Sequence, residues 1–170
     1  ECYQDLVGFG TSCLQFDVKT KESNFDGFNF KACHLAEVVI SESEEGKVDT
    51  VFRKLKLTAR QAYQKFGKDC GDKAMKALEK DPDQMFEYVQ AVFPREIKGE
   101  PAMVAPPHQR PWACYFISVI DKKICKESGY YELPFMVPRW AKTTGDMYGF
   151  GPGCIARADV KTLNSARKLA

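Results

Sequence analysis

Over most of the chain apolar and polar residues alternate with a period of two, and short polar turns join the segments that do so. That alternation marks half-buried strands, and short joins favour antiparallel pairing. Leu14, Phe16 and Val18 alternate with Gln15 and Asp17. After a polar turn over residues 19–24, Phe28, Phe30 and Ala32 alternate with Asn29, Lys31 and Cys33. A short third run covers residues 37–40, and an acidic turn, residues 41–47, leads into a strand over residues 48–57 with Val51, Leu55 and Leu57 on one face. At Thr58 the period changes to about 3.6 residues, that of a helix. Thr58-Ala59-Arg60-Gln61 fits a capping box, with Ala62, Tyr63 and Phe66 as the apolar stripe and Gly67 as the stop. A second helix is expected from Asp72, carrying Ala74, Met75 and Leu78 inward and ending before Asp81-Pro82.

Strand character returns over residues 85–93, and residues 94–111 hold five of the nine prolines, which excludes a central strand there. Residues 112–120 are nearly continuously apolar, as expected of a strand buried on both faces. Ile124–Lys126, a turn at Ser128-Gly129 and Leu133–Val137 follow. At the two ends, residues 3–10 read as the last turns of a helix stopped by glycine, and a final helix is expected from Asp159 as N-cap, with Val160, Leu163 and Ala166 or Arg167 on one side. The class is therefore α+β: a mainly antiparallel sheet or open barrel of about seven strands, with a two-helix insertion near residues 58–81 and a helix at each end. Residues 1–137 form the β-rich part, and residues 138–170 a glycine-rich turn followed by the start of a helix.

Composition narrows the function classes. The 170 residues carry 25 Lys plus Arg against 23 Asp plus Glu, with 44% hydrophobic residues, which excludes a disordered tail or a coat of nucleic acid held by charge alone. No segment approaches the roughly 18 apolar residues of a membrane-spanning helix, so no membrane partner is expected. The seven cysteines, an odd count with no C-x-x-C pair, read as reduced thiols, and Cys13, Cys33, Cys114 and Cys125 sit in apolar or alternating segments as small hydrophobes. Both ends read as cuts from a longer polypeptide.

Chemistry is sparse. The two histidines, His34 and His108, lie outside any nucleophile motif, and adjacent Cys33 and His34 would point to opposite faces of a strand. No catalytic, metal or cofactor residues are assigned. Glu42, Glu44 and Glu45 read as a solvated hairpin tip. The segment Gly149-Phe150-Gly151-Pro152-Gly153 precedes a helix, yet lacks the Lys-Ser or Lys-Thr pair of a phosphate loop, and Pro152 offers no amide. It reads better as a turn that redirects the chain, set by Gly149, Gly151 and Pro152 and anchored by Trp140 through burial and Arg139 through a charged hydrogen bond. A small nucleotide-binding or enzymatic domain built on Gly149–Gly153 is the alternative. Charge is uneven: residues 138–170 hold six basic and two acidic side chains, net +4, so Arg157, Lys161, Arg167 and Lys168 form a candidate electropositive surface.

Several blocks together resemble a known family. Leu133-Pro134-Phe135-Met136-Val137-Pro138-Arg139-Trp140, then residues 145–153 with Tyr148, Gly149, Gly151 and Pro152, then Asp159-Val160-Lys161-Thr162-Leu163-Asn164, are similar to the head-to-tail connector (portal) proteins of short-tailed bacteriophages. Val48-Asp49-Thr50-Val51-Phe52-Arg53, Leu57–Ala62 and Asp5–Thr11 agree with the same pattern. Two departures stand out: Phe150 occupies a position where the family usually has Arg, and the loop over residues 94–111 is long. The resemblance implies a structural subunit fragment rather than an enzyme. It implies a wing-like part in residues 1–137 and a stem-directed helix after the glycine turn, with the stem, clip and crown largely outside the chain. It further implies a homo-oligomeric ring, usually of twelve, at the portal vertex of the virion, assembled in the host cytoplasm with capsid and scaffolding proteins. Double-stranded DNA passes such a ring without sequence specificity, terminase docks on it, and tail and adaptor proteins attach below; no cofactor is implied.

Overall fold

The computed structural model describes residues 1–21, 24–96 and 105–169 of the chain, with no side chain described over residues 19–26 or at Leu169. Much of the Pro-rich loop therefore lies outside the described residues. The chain divides into two compact units, one formed by residues 1–36 and 134–170 and the other by residues 37–133. These boundaries fall at 36/37 and 133/134, whereas the division read from sequence is at 137/138. Both units are α+β with antiparallel sheets, and neither sheet closes into a barrel. No helix among the described residues is long and apolar enough to cross a membrane.

The first unit begins with helix α1 (Cys2–Phe9), which Gly10 ends in a left-handed conformation at φ 83°. Strands β1 (Cys13–Lys21) and β2 (Asn24–Cys33) pair antiparallel. The second unit is a five-stranded meander: β3 (Val38–Glu42), β4 (Val48–Thr58), β5 (Met85–Pro94), β6 (Trp112–Ser118) and β7 (Lys123–Tyr130). Helices α2 (Ala59–Phe66) and α3 (Asp72–Lys80) are inserted between β4 and β5. The first unit then resumes with β8 (Phe135–Met136), which pairs with β1, and with helix α4 (Pro152–Leu169).

The capping box forms as the sequence requires. Gln61 N–H donates to Thr58 Oγ1 at 3.2 Å, and Thr58 N–H donates to Gln61 Oε1 at 3.1 Å. Ala59, Ala62 and Phe66 of α2 are buried, and the Phe66 ring lies 5.2 Å from Tyr88 and 5.4 Å from Phe116. On the sheet the buried positions include Val51, Arg53 and Leu55 of β4, Phe86, Tyr88, Gln90 and Val92 of β5, and Cys114, Phe116 and Ser118 of β6. Register puts Arg53 beside Gln90, so a polar row crosses the core, with Arg53 Nη2 3.8 Å from Glu37 and Gln90 Nε2 3.7 Å from the Cys114 sulfur. Tyr88 is fully buried, and its hydroxyl donates to the Cys70 carbonyl at 2.7 Å. Burial pushes the phenol well above the usual tyrosine range, so it stays a neutral donor.

Several expectations change. Residues 112–120 are not a strand buried on both faces: β6 ends at Ser118, its Tyr115 and Ile117 are only half-buried, and Val119 and Ile120 are exposed. Ser128-Gly129 is not a turn but part of β7, where Ser128 pairs with Cys114 and Gly129 with Ala113 of β6; glycine is needed because a side chain there would overlap the Pro107 carbonyl. In α3 the buried residues are Ala74 and Ala77, while Met75 and Leu78 are half-buried. The small sheet shows the largest reversal. Cys13, Gln15, Cys33 and Phe135 are buried, whereas Val18, Phe28, Phe30 and Met136 are all more than half exposed. Register sets Cys13 beside Cys33 and Gln15 beside Phe135, so burial falls on that face and the apolar alternation faces outward.

Five of the seven free thiols are buried, Cys70 among them, while Cys2 and Cys154 are partly exposed. A thiol reagent should therefore modify Cys2 and Cys154 first in the native chain, with all seven reacting on unfolding without prior reduction, as mass spectrometry of the labelled peptides will show. Tyr88→Phe should lower stability by about 1–3 kcal/mol, since it leaves the Cys70 carbonyl without its phenol donor, and urea unfolding measures this directly.

Candidate assembly site at the glycine junction

The residues singled out around the glycine turn meet where the two ends of the chain come together in the first unit. Gly10 ends α1 and returns its N–H to the Leu6 carbonyl at 3.0 Å. Thr11, next in sequence, bridges antiparallel to Arg139. Trp140 N–H donates to the Gly10 carbonyl at 2.9 Å, and Ser12 N–H to the Pro138 carbonyl at 3.1 Å. Gly149 N–H then donates to the buried Thr11 Oγ1 at 2.7 Å, across 138 residues of sequence.

Close backbone approach, not positive φ, is what requires glycine at 149 and 151. Neither has a positive φ; the left-handed conformations here belong to Gly10 and Gly145. A methyl group on Gly149 would overlap the Gly10 carbonyl and come within 2.9 Å of Arg139 Cβ. One on Gly151 would lie 2.7 Å from both the Gly10 nitrogen and the Val7 carbonyl. Gly153 is similar, with the Gly8 carbonyl at 2.8 Å, and the Cys154 thiol donates to that carbonyl at 3.5 Å. The carbonyl end of α1 thus faces the amide end of α4, an attractive arrangement of opposite dipole ends.

Pro152 plays a different part from the one expected. It is the first residue of α4, where its fixed φ suits the helix and its missing N–H costs no bond. The helix therefore starts seven residues before Asp159, which is exposed within it. Trp140 anchors the junction through its backbone, its ring being 55% exposed. Arg139 Nη1 donates to the Met147 carbonyl at 3.1 Å. Tyr148 is 42% exposed and, with Phe9, Thr11, His34, Leu35 and Ala36, lines an open pocket of about 340 Å³. Phe150, in place of the family's usual Arg, is exposed. Sequence alone gives Gly10 as a helix stop, Thr11 as part of a family block and Gly153 as part of the glycine segment; that they meet at one junction is visible only in three dimensions.

The turn is poorly suited to phosphate. Gly149 N–H is held by Thr11, Phe150 N–H donates to the Ala141 carbonyl at 2.7 Å, and Pro152 has none. His34 Nδ1 accepts the Ala36 N–H at 3.2 Å. No group of three or more potential metal ligands occurs among the described residues.

Beyond the junction α4 is exposed on every side from Ile155 to Lys168, and Val160 and Leu163 are 51% and 68% exposed. Helical spacing places Arg157, Lys161 and Lys168 in one stripe, with Arg167 beside it and Asp159 on the far side.

Thr11→Val should lower stability by about 1–3 kcal/mol, because it leaves the buried Gly149 N–H unpaired. Gly151→Val should cost at least as much through overpacking. Urea unfolding measures both, and an unchanged midpoint for Gly151→Val would contradict the close approach.

The profile of a family described as bacteriophage head to tail connecting protein matches residues 1–170. A probable portal protein of Bordetella phage BPP-1 is 28% identical over 165 residues, which cover 95% of this chain and 29% of that protein. The portal protein of Salmonella phage epsilon15 is 27% identical over 169 residues, covering 98% of this chain and 30% of that protein. The chain thus spans under a third of the length of these relatives. With its full length matched, the chain belongs to the bacteriophage head-to-tail connecting protein family.

Proposed function

We propose that the chain is a structural portion of a phage portal subunit, without catalytic activity of its own, in a ring at the capsid vertex through which double-stranded DNA is packaged and ejected. Residues 1–137 are its wing-like part, and residues 138–170 turn the chain through the glycine junction into a stem-directed helix. The observation that carries this reading is α4: fixed at its first turn against α1, then exposed on all sides and bearing Arg157, Lys161 and Lys168 in one stripe. A rigid lever with one basic edge suits a helix that joins an outer domain to a DNA channel, where weak, sequence-independent attraction to phosphates lets the duplex slide. The ring is a homo-oligomer, dodecameric by family resemblance. Terminase, tail and adaptor proteins dock on it, and capsid and scaffolding proteins surround it during assembly in the host cytoplasm.

Electron micrographs of the subunit that carries this chain should show rings with a central hole. In that subunit, Arg157→Glu with Lys161→Glu should leave rings intact while reducing the DNA packaged per particle. Normal packaging would remove the basic stripe from the channel. Melting temperatures unmoved by ATP with magnesium are expected, and saturable stabilisation by the nucleotide would favour the enzymatic alternative.

A further inference from the structure

Two features of the second unit complement one another in charge. Lys73, Lys76 and Lys80 of α3 line an open pocket of about 420 Å³ whose floor is apolar, formed by Ala77, Phe86 and Ile120. All three lysines are exposed, and none forms an ion pair among the described residues. Asp72 and Glu79 fall on the adjoining face of the helix, outside the pocket lining. The other feature is the hairpin tip between β3 and β4. Residues 41–47 hold three glutamates against one lysine and are closed by Ser43 N–H donating to the Lys47 carbonyl at 2.9 Å, with Gly46 at φ 73°. Glu44 and Glu45 are exposed, and the Glu45–Lys47 pair at 2.9 Å is a surface contact of small energetic value.

A chain cannot bring its own tip to its own pocket. The tip lies at the Val48 end of β4, whereas Phe86 of the pocket pairs with Leu57 at the other end. Nine residues of strand hold them about 30 Å apart at ~3.3 Å per residue. The charges can meet only between molecules. Resting on the ring reading above, we propose that the acidic β3–β4 tip of one subunit docks in the lysine-lined pocket beside α3 of a second copy. The contact joins two different patches, so it can repeat from copy to copy, the heterologous geometry from which rings are built. The apolar floor keeps water from one side of the ion pairs, which strengthens their attraction. It also favours a folded protein segment over a bare phosphate backbone.

The test uses two variants of the whole chain, Lys73→Glu/Lys76→Glu for the pocket and Glu44→Lys/Glu45→Lys for the tip, each checked for folding by circular dichroism and urea unfolding. In sedimentation velocity at low ionic strength, the unaltered chain should associate as concentration rises. Each variant alone should associate at least about tenfold more weakly, since like charges then face each other. An equimolar mixture should regain association, because each variant's tip then meets a pocket of opposite sign; high salt should abolish it. Association unaffected by either variant, or not regained on mixing, overturns the docking while leaving the ring reading intact. An unaltered chain that stays monomeric up to millimolar concentration also overturns it, and the ring reading is then judged by the micrographs alone. Duplex DNA binding lost in the pocket variant, with association unchanged, assigns the lysines to nucleic acid instead and overturns the proposal.

Discussion

Backbone meets backbone at Gly10, Gly149 and Gly151, and the first unit depends on that approach. Its two sequence segments, residues 1–36 and 134–170, lie on either side of the inserted second unit. They are joined by the pairing of β1 with β8, the Thr11–Arg139 bridge and the bond from Gly149 to Thr11. Any side chain at 149 or 151 would push α4 away from the end of α1, and with it the direction in which α4 leaves. Closing so long a loop costs entropy that grows only slowly with its length. A compact knot of buried hydrogen bonds is the kind of structure that can offset it.

The second unit is held differently. Phe66 of the inserted helices seats on Tyr88 and Phe116 of the sheet, and Lys65 extends over the Phe116 ring at 4.3 Å. Register is fixed along with burial, since a slip of β4 by one residue would expose Val51, Arg53 and Leu55 and turn Phe52 and Lys54 inward. At the sheet's other side Arg110 bonds to the Ala105 and Gly129 carbonyls and covers the Tyr131 ring, tying down the end of the Pro-rich loop.

The first unit leaves large apolar side chains exposed. The small sheet shows Val18, Phe28, Phe30 and Met136 to solvent, and α4 shows Ile155, Val160 and Leu163.

Element type and order were written in the sequence, because period, caps and turn residues act over a few residues at a time. The capping box at Thr58, the stop at Gly67, the breaks around Asp72 and Asp81, and the β3–β4 turn all fall where local chemistry puts them. The motif blocks, too, lie in linear order and were legible as a family resemblance. What the alternation of Leu14, Phe16 and Val18 could not reveal is which face is covered, since a period of two names two faces and only packing chooses between them. The same limit explains Gly149 and Gly151, whose role lies in a carbonyl and an amide some 140 residues away in sequence, whereas the start of α4 at Pro152 follows a local rule, proline at a first helical position. Local sequence determined the pieces; contacts between distant residues decided which surfaces are buried and why the glycines at the junction are there.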